Sequence, residues 1–233
     1  MTTRVLVTPD GDRVAAVDSP VAVADKQAWA LVATALAWRL GRSGARRTTI
    51  ALTPALVEPF EVAGWTAALR TLEKDFAGTV LPEPPADITV RPLDADELTA
   101  FVDAMSRLHR RRASEVGLDL HGTFEPAYLR DRHRHPDDDF LGGVVDGRVV
   151  TRIWATRRLI DEGLDLHVNA IDVPDPERGA GLLRPAITAI TAHYARRGLC
   201  RVQFRLYAGD TVLAGVMGAQ GYDATSVTLT RTT

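Results

Sequence analysis

Val173-Pro174-Asp175-Pro176-Glu177-Arg178-Gly179-Ala180-Gly181-Leu182-Leu183 decides how this chain is read. The run before it, Leu164 to Val173, is strand-like, and the run after it, Leu182 to Arg197, has the apolar spacing of a helix. A strand ending in Arg-Gly-x-Gly at the start of a helix suits a phosphate. Glycine lets the backbone approach an anion closely. The unpaired N–H groups at the helix start point at that anion, and the helix dipole adds roughly half a positive charge there. Successive turn amides also form anion-binding concavities. Taken alone, such a string is more often a plain chain reversal, so its context decides. Gly198 stands where a helix-ending glycine is expected. Val202 to Leu206 then reads as a short strand, Asp210 to Ala219 as a helix, and Ala224 to Leu229, after Gly221-Tyr222, as a last β-rich run.

With these residues in place, the stretch from about 88 to 233 resembles the GNAT superfamily of acyl-CoA-dependent N-acyltransferases. The matching features are the Val-x-x-x-x-Arg-Gly-x-Gly passage from Val173 to Gly181, the amphipathic helix to Gly198, and Gly221-Tyr222, where the family usually has Gly-Phe. The resemblance implies an α/β fold of the α+β type: a mixed, mostly antiparallel central sheet flanked by helices. It implies that two central strands splay apart after the Arg-Gly-x-Gly strand and that an acyl-pantetheine arm lies in the gap. It also implies that acetyl-CoA or another acyl-CoA is the co-substrate. The residues this assigns to coenzyme binding are Ile171, Asp172, Val173, Arg178, Gly179, Ala180, Gly181, Leu182, Leu183 and Asp210. Three positions depart from the family pattern. Leu183 stands where Gly or Ala is usual, and either crowds the diphosphate or turns into the core. Asp210 replaces a common Asn. Met217 replaces the Tyr that many members use to protonate the leaving thiolate.

The chain has 233 residues, a hydrophobic share of 45% and a formal net charge of −2. That length fits one large or two small domains, and that charge argues against a general nucleic-acid binder. Cys200 is the only cysteine, so no internal disulfide forms, and a reduced, cytoplasmic setting is expected. The start Met1-Thr2-Thr3-Arg4-Val5 carries no long apolar signal region, and the apolar run Ala28 to Leu40 is too short for a bilayer and contains Arg39. No membrane or nucleic-acid partner is expected; a homodimer would rest on family analogy alone.

Residues 79–87, with Pro82, Pro84 and Pro85, read as a linker between a segment at 1–78 and a domain at 88–233. The first segment is a smaller α/β unit: strand (Arg4 to Val7), an Asp10-Gly11 hairpin turn, strand (Arg13 to Asp18), helix (Asp25 to Arg42), strand (Arg47 to Thr53), helix (Pro54 to Ala63) and strand (Trp65 to Leu72). Trp29, Leu31, Val32, Leu36 and Leu40 give its first helix a broad apolar face. Its landmarks repeat the end of the chain: Gly44 before Arg47 to Leu52 parallels Gly198 before Arg201 to Leu206, and Gly64-Trp65 parallels Gly221-Tyr222. It therefore reads as a degenerate half-copy, or else as a coincidence of α/β punctuation. It lacks Arg-Gly-x-Gly, so its expected role is to cover a sheet edge or shape the acceptor pocket. In the second unit, Ile88 to Arg91 is a strand, Asp94 to Arg112 a helix started by a capping box with Glu97, Glu125 to Arg132 a helix, and Phe140 to Val145 and Val149 to Ala155 a hairpin around Asp146-Gly147.

Acyl transfer to an amine needs a free lone pair, a polarised thioester carbonyl and a proton for the departing thiolate. Several GNAT enzymes place Glu or His six residues before the Val that ends the Arg-Gly-x-Gly strand; here that position is His167, the candidate base. Asp165 and Asn169 share its face by strand alternation. The alternative for His167 is a half-buried strand histidine without catalytic duty. Asp172 reads as a solvated carboxylate beside the turn, and Tyr207, Tyr222 and Cys200 as core residues. His133-Arg134-His135-Pro136-Asp137-Asp138-Asp139 reads as a solvated loop in preference to a metal site, and Arg110-Arg111-Arg112 as an exposed helix end. The acceptor, an amine of a small molecule or peptide, would meet residues from about Met105 to Tyr128 and Thr156 to Leu164. A silent acyl-CoA-binding sensor or scaffold is the alternative function.

Overall fold

The computed structural model describes residues 3–7, 13–17, 31–36, 38, 47–76, 78–79, 83, 85–116, 125–174 and 181–232. In chain order these give β1 (Thr3–Val7), β2 (Arg13–Val17), a helix α1 at residues 31–36 and 38, β3 (Arg47–Leu52), a 3-10 turn (Pro54–Leu56), α2 (Val57–Val62) and β4 (Thr66–Asp75). There follow β5 (Thr89–Pro92), α3 (Ala95–Glu115), α4 (Pro126–Arg132), β6 (Asp138–Val145), β7 (Arg148–Ile160), β8 (Gly163–Asp172), α5 (Leu183–Ala195), β9 (Leu199–Tyr207), α6 (Thr211–Ala219) and β10 (Asp223–Thr232). The strands form one 10-stranded sheet in the order β1-β2-β3-β10-β4-β9-β8-β7-β6-β5. Only β2/β3 and β8/β9 are parallel among these pairs, so the sheet is mixed and mostly antiparallel, as expected. The Asp10-Gly11 turn lies outside the described residues, but β1 and β2 pair antiparallel with Val7 opposite Arg13. Of the 79–87 stretch, residues 79, 83 and 85–87 are described, none in helix or strand.

The two β-α-β passages interleave. β10 lies between β3 and β4, and β4 lies between β10 and β9. Both passages turn on the same device. The Gly64 N–H bonds the Glu61 carbonyl (2.9 Å) and the Trp65 N–H bonds the Phe60 carbonyl (3.0 Å). The Gly221 N–H bonds the Gly218 carbonyl (3.0 Å) and the Tyr222 N–H bonds the Met217 carbonyl (3.1 Å). These paired bonds close a helix on a left-handed residue, and both glycines adopt it, at φ +83° and +79°. Phe60 thus occupies the place of Met217, and Trp65 that of Tyr222.

Period-two alternation sends successive side chains of β9 to opposite faces. Val202, Phe204 and Leu206 join Ile187 and Ile190 of α5 and Met217 of α6 in the largest core cluster. On the other side of the sheet, α3 and α4 pack Phe101, Met105 and Leu129 against Phe140, Trp154 and Ala170. A third cluster joins Ala33 and Leu36 of α1, Phe60 and Trp65 to Ile50, Leu52, Val227 and Leu229. Leu31, expected on the apolar face of α1, is 73% exposed, because the contact is made by the Ala33 and Leu36 side of that helix. The capping box of α3 is formed: the Glu97 N–H bonds the Asp94 carboxylate, and the Asp94 N–H bonds Glu97 Oε2 (2.9 Å each). No described helix is long and apolar enough to cross a membrane.

Candidate active site

β8 and β9 run parallel from Leu164 opposite Leu199; the register shifts by one residue there, and from Asp165 opposite Arg201 to Val168 opposite Phe204 it is unbroken. Beyond that pair both strands continue, to Asp172 and Tyr207, without bonding each other. At the same point β8 carries one residue too many against β7: Trp154 faces Ala170 and Ala155 faces Val168, leaving Asn169 unmatched. An extra residue bends its strand and increases the local twist, which steers β8 away from β9.

The parting strands leave a cavity of about 60 Å³ walled by Val168, Asn169, Ala170 and Ile171 on one side and by Phe204, Leu206, Tyr207 and Leu213 on the other. At one end it meets a 260 Å³ cleft between Ile171, Val173, Leu183, Asp210 and Val212. At the other it meets a 740 Å³ pocket on the α3/α4 face of the sheet. Leu108, Ile171, Asp210 and Leu213 border both gap and cleft, while His109, Val168, Asn169, Phe204, Arg205 and Tyr207 border both gap and pocket. The three spaces thus share walls where the strands part.

The pocket end is polar. His167 Nε2 lies 3.2 Å from Asp165 Oδ2. Asp165 is 2% exposed and accepts two bonds of 3.0 Å from the Arg201 guanidinium. Burial raises the Asp165 carboxyl, but Arg201 and His167 outweigh it and hold it below the usual carboxylate range. Asp165 therefore stays ionised and accepts a hydrogen bond from Nε2–H of His167, leaving Nδ1 with the lone pair. Burial and the nearby Arg158 cation lower the His167 imidazole against the pull of Asp165, so the ring is neutral at pH 7. Asn169 Nδ2 donates to Thr156 Oγ1 (2.7 Å), which donates to Asp138 Oδ1 (2.6 Å), and Asp138 pairs with Arg132. From β4, Glu73 accepts from Gln203 (3.1 Å), and Thr71 from Ser226 of β10 (3.2 Å).

The chain matches a solved GCN5-related N-acetyltransferase from Sphaerobacter thermophilus at 15% identity over 99% of this chain and 76% of that one, with a TM-score of 0.52. It matches a tandem GNAT protein from the clavulanic acid biosynthesis pathway at 15% identity, over 99% of this chain and 78% of that one, with a TM-score of 0.54. The YycN protein of Bacillus subtilis matches 59% of this chain and 93% of its own length, at 12% identity and a TM-score of 0.52. This is the GNAT fold. No protein-family model and no curated protein sequence matches the chain.

Within this GNAT fold the expected residues fall unevenly. His167, Asp165 and Asn169 share one face and one pocket. Ile171, Val173, Leu183 and Asp210 border the cleft. Arg178, Gly179 and Ala180 lie outside the described residues, but Gly181, at φ +73°, has none of the described residues within 4 Å of where a Cβ would stand. Leu182 precedes α5 and its side chain makes no cap bond to the first amides of that helix. Leu183 both packs on the main core and forms cleft wall.

Three readings need correction. Asp172 is not solvated: it is 6% exposed and paired with Arg152, because β8 carries it under the face that α3 covers. Asp138 and Asp139 belong to β6 and not to a loop; Asp138 is buried by its Arg132 pair, and Asp139 accepts from the Tyr194 hydroxyl (2.8 Å). Arg112 is not a free helix end but binds Asp210 at 2.6 Å; burial nonetheless pushes the Asp210 carboxyl up. Tyr207, Tyr222 and Cys200 are buried with the core as read, and the Tyr207 hydroxyl lies 2.8 Å from His109 Nδ1, where gap and pocket meet. The pocket wall also draws on Leu69, Thr71, Glu73, Gln203 and Ser226, which lie beyond the stretches expected to face an acceptor.

Proposed function

We propose that the chain is an acyl-CoA-dependent N-acyltransferase that moves an acetyl or short acyl group to an amine of a small molecule or peptide. The observation that carries this is the parting of β8 and β9, with cavities that share walls there and a carboxylate-backed histidine in the largest of the three. The residues present suit the coenzyme. The start of α5, where Leu182 gives no side-chain cap, offers amides to a diphosphate, together with Arg178, Gly179, Ala180, Gly181 and Leu182. The gap is lined largely by Val168, Ile171, Phe204, Leu206 and Leu213, which accept a flexible, mostly apolar arm. Backbone groups of Ile171 to Val173 would orient the thioester.

The amine enters from the α3/α4 side, where β4 supplies Leu69, Thr71 and Glu73 to the wall. The segment 1–78 therefore shapes the acceptor pocket in addition to extending the sheet of the unit at 88–233. As the amine nitrogen attacks the thioester carbon, a C–N bond forms and the C–S bond breaks. The displaced amine proton passes to Nδ1 of His167, and Asp165 stabilises the imidazolium.

The buried Met217 favours a second reading, a silent acyl-CoA-binding sensor or scaffold, since a thioether supplies no proton. The test is thiol release from acetyl-CoA with a panel of amino acids, polyamines, amino sugars and peptides, beside thermal unfolding with and without acetyl-CoA. Amine-dependent thiol release is the expected result. A raised melting temperature without release supports the sensor, and neither effect removes both readings.

A further inference from the structure

Two buried titratable groups at the gap have no part in the chemistry so far. Tyr207 ends β9 and is 6% exposed; His109 lies on α3 and is 8% exposed. Their ring centroids are 5.4 Å apart, and the phenol oxygen lies 2.8 Å from His109 Nδ1. Both residues border the gap and the large pocket alike. The other phenols are differently engaged: Tyr194 bonds Asp139, Tyr222 sits in the core against Phe204, and Tyr128 borders only the pocket. Asp210, the acidic residue at the gap, is held by Arg112.

A thiolate expelled between Val168, Ile171, Leu206 and Leu213 has little water to protonate it, so a fixed donor beside it speeds C–S cleavage. Building on the acyltransferase reading above, we propose that Tyr207 gives its hydroxyl proton to the departing sulfur and that His109 is the positioning residue that holds the phenol. The balance closes. The C–S electron pair stays on sulfur, sulfur takes the phenol proton, and the phenolate is reprotonated through the pocket by the proton that His167 removed from the amine.

Both environments fit these parts. Burial pushes the Tyr207 phenol up, so it remains protonated across the working pH range. Burial pushes His109 down to about 4, so its ring is neutral and carries one N–H. With that hydrogen on Nδ1, His109 donates to the phenol oxygen, frees the O–H to face the gap, and stabilises the phenolate that follows.

The test compares two acyl donors with the amine that gives fastest thiol release. Acetyl-CoA expels an alkyl thiolate that gains from protonation; the acetyl thioester of 4-nitrothiophenol expels an anion that does not. Tyr207→Phe should lower kcat/KM for acetyl-CoA roughly 10²-fold, leave the acetyl-CoA-induced rise in melting temperature unchanged, and lower kcat/KM for the aryl donor no more than about 3-fold, a ceiling set well below the general-acid contribution. His109→Leu should show the same donor dependence with smaller amplitude, and His109→Asn, which can still donate to the phenol, should recover most of the loss. This second pair carries the test if Tyr207→Phe does not fold. Equal losses with both donors, or full activity with acetyl-CoA, would overturn the proton-donor role and leave the acyltransferase reading intact. Wild-type protein that releases thiol from neither donor would overturn both.

Discussion

Val168 and Phe204 are the last residues that β8 and β9 share in register, and the unmatched Asn169 follows Val168 at once. Where the strands part, only small and medium side chains border the 60 Å³ cavity on the β8 side, Ala170 among them. Ala170→Leu should fill it. Overpacking of this kind costs about 1–3 kcal/mol. The expected outcome is a folded protein with a modestly lower melting temperature that acetyl-CoA no longer raises. A full coenzyme shift in this variant would mean that the pantetheine arm does not use the gap.

The pH dependence of turnover should report His167. Its imidazole is lowered, first by burial and then by Arg158, so the neutral base is lost only as pH falls through a value below 6.5. The kcat/KM profile should carry an acidic limb there. His167→Ala should remove that limb and cost roughly 10²-fold or more in rate. Asp165 raises the His167 value, so Asp165→Asn should move the limb to still lower pH. Movement toward higher pH would contradict the Asp165–His167 pairing.

His109 should make folding itself pH-dependent. Its folded value, about 4, lies below the 6.5 of an unfolded histidine, so the unfolded chain binds the extra proton between these limits. The stability this represents is present above 6.5 and is lost as pH falls toward 4; the whole interval is worth roughly 3 kcal/mol. Denaturant titrations at pH 7 and pH 4.5 should show most of this loss in the wild type. In His109→Gln, which has no charge to gain, the loss should be correspondingly smaller, and an equal loss in both would assign it to other groups.

The interleaved strands predict how the chain tolerates division. Both neighbours of β10, namely β3 and β4, come from residues 47–75. A chain beginning at residue 79 leaves β10 unpaired and opens the edge of β9, and it exposes Val227 and Leu229, which pack in the cluster of Phe60 and Trp65. It should be insoluble or lack a cooperative melt, and adding residues 1–78 as a separate chain should restore one. A well-folded 79–233 fragment would show that the exchange is dispensable. Within the intact chain, Trp65→Ala should cost about 3–5 kcal/mol.

Much of this was legible because the informative signals are local. Gly64 and Gly221 mark the same left-handed helix end, which few other residues tolerate. Asp94 and Glu97 announce the start of α3 by their spacing alone. His167 and Asp165 share a face by strand alternation, and their bond follows from it. The remainder depended on contacts distant in sequence. Asp172 looks solvated until Arg152, on the neighbouring strand, is brought beside it. Tyr207 reads as a core aromatic because His109 lies 98 positions away on another element. The placing of β4 between β9 and β10 leaves no trace in the alternation of any of the three, since a strand shows the same period whichever partner it takes. Asn169 carries no mark of a bulge, as extra residues interrupt pairing without altering composition.

The most direct measurement is calorimetric titration of coenzyme A into the wild-type chain and into Gly181→Val. Gly181 sits at φ +73°, which a β-branched residue does not adopt without strain, while none of the described residues lies within 4 Å of where its Cβ would stand. The account predicts saturable one-to-one binding by the wild type and an affinity at least about tenfold weaker in the variant, in keeping with roughly 1–3 kcal/mol of backbone strain. No heat with wild-type protein, or equal affinity in the two, would contradict a coenzyme site at the start of α5.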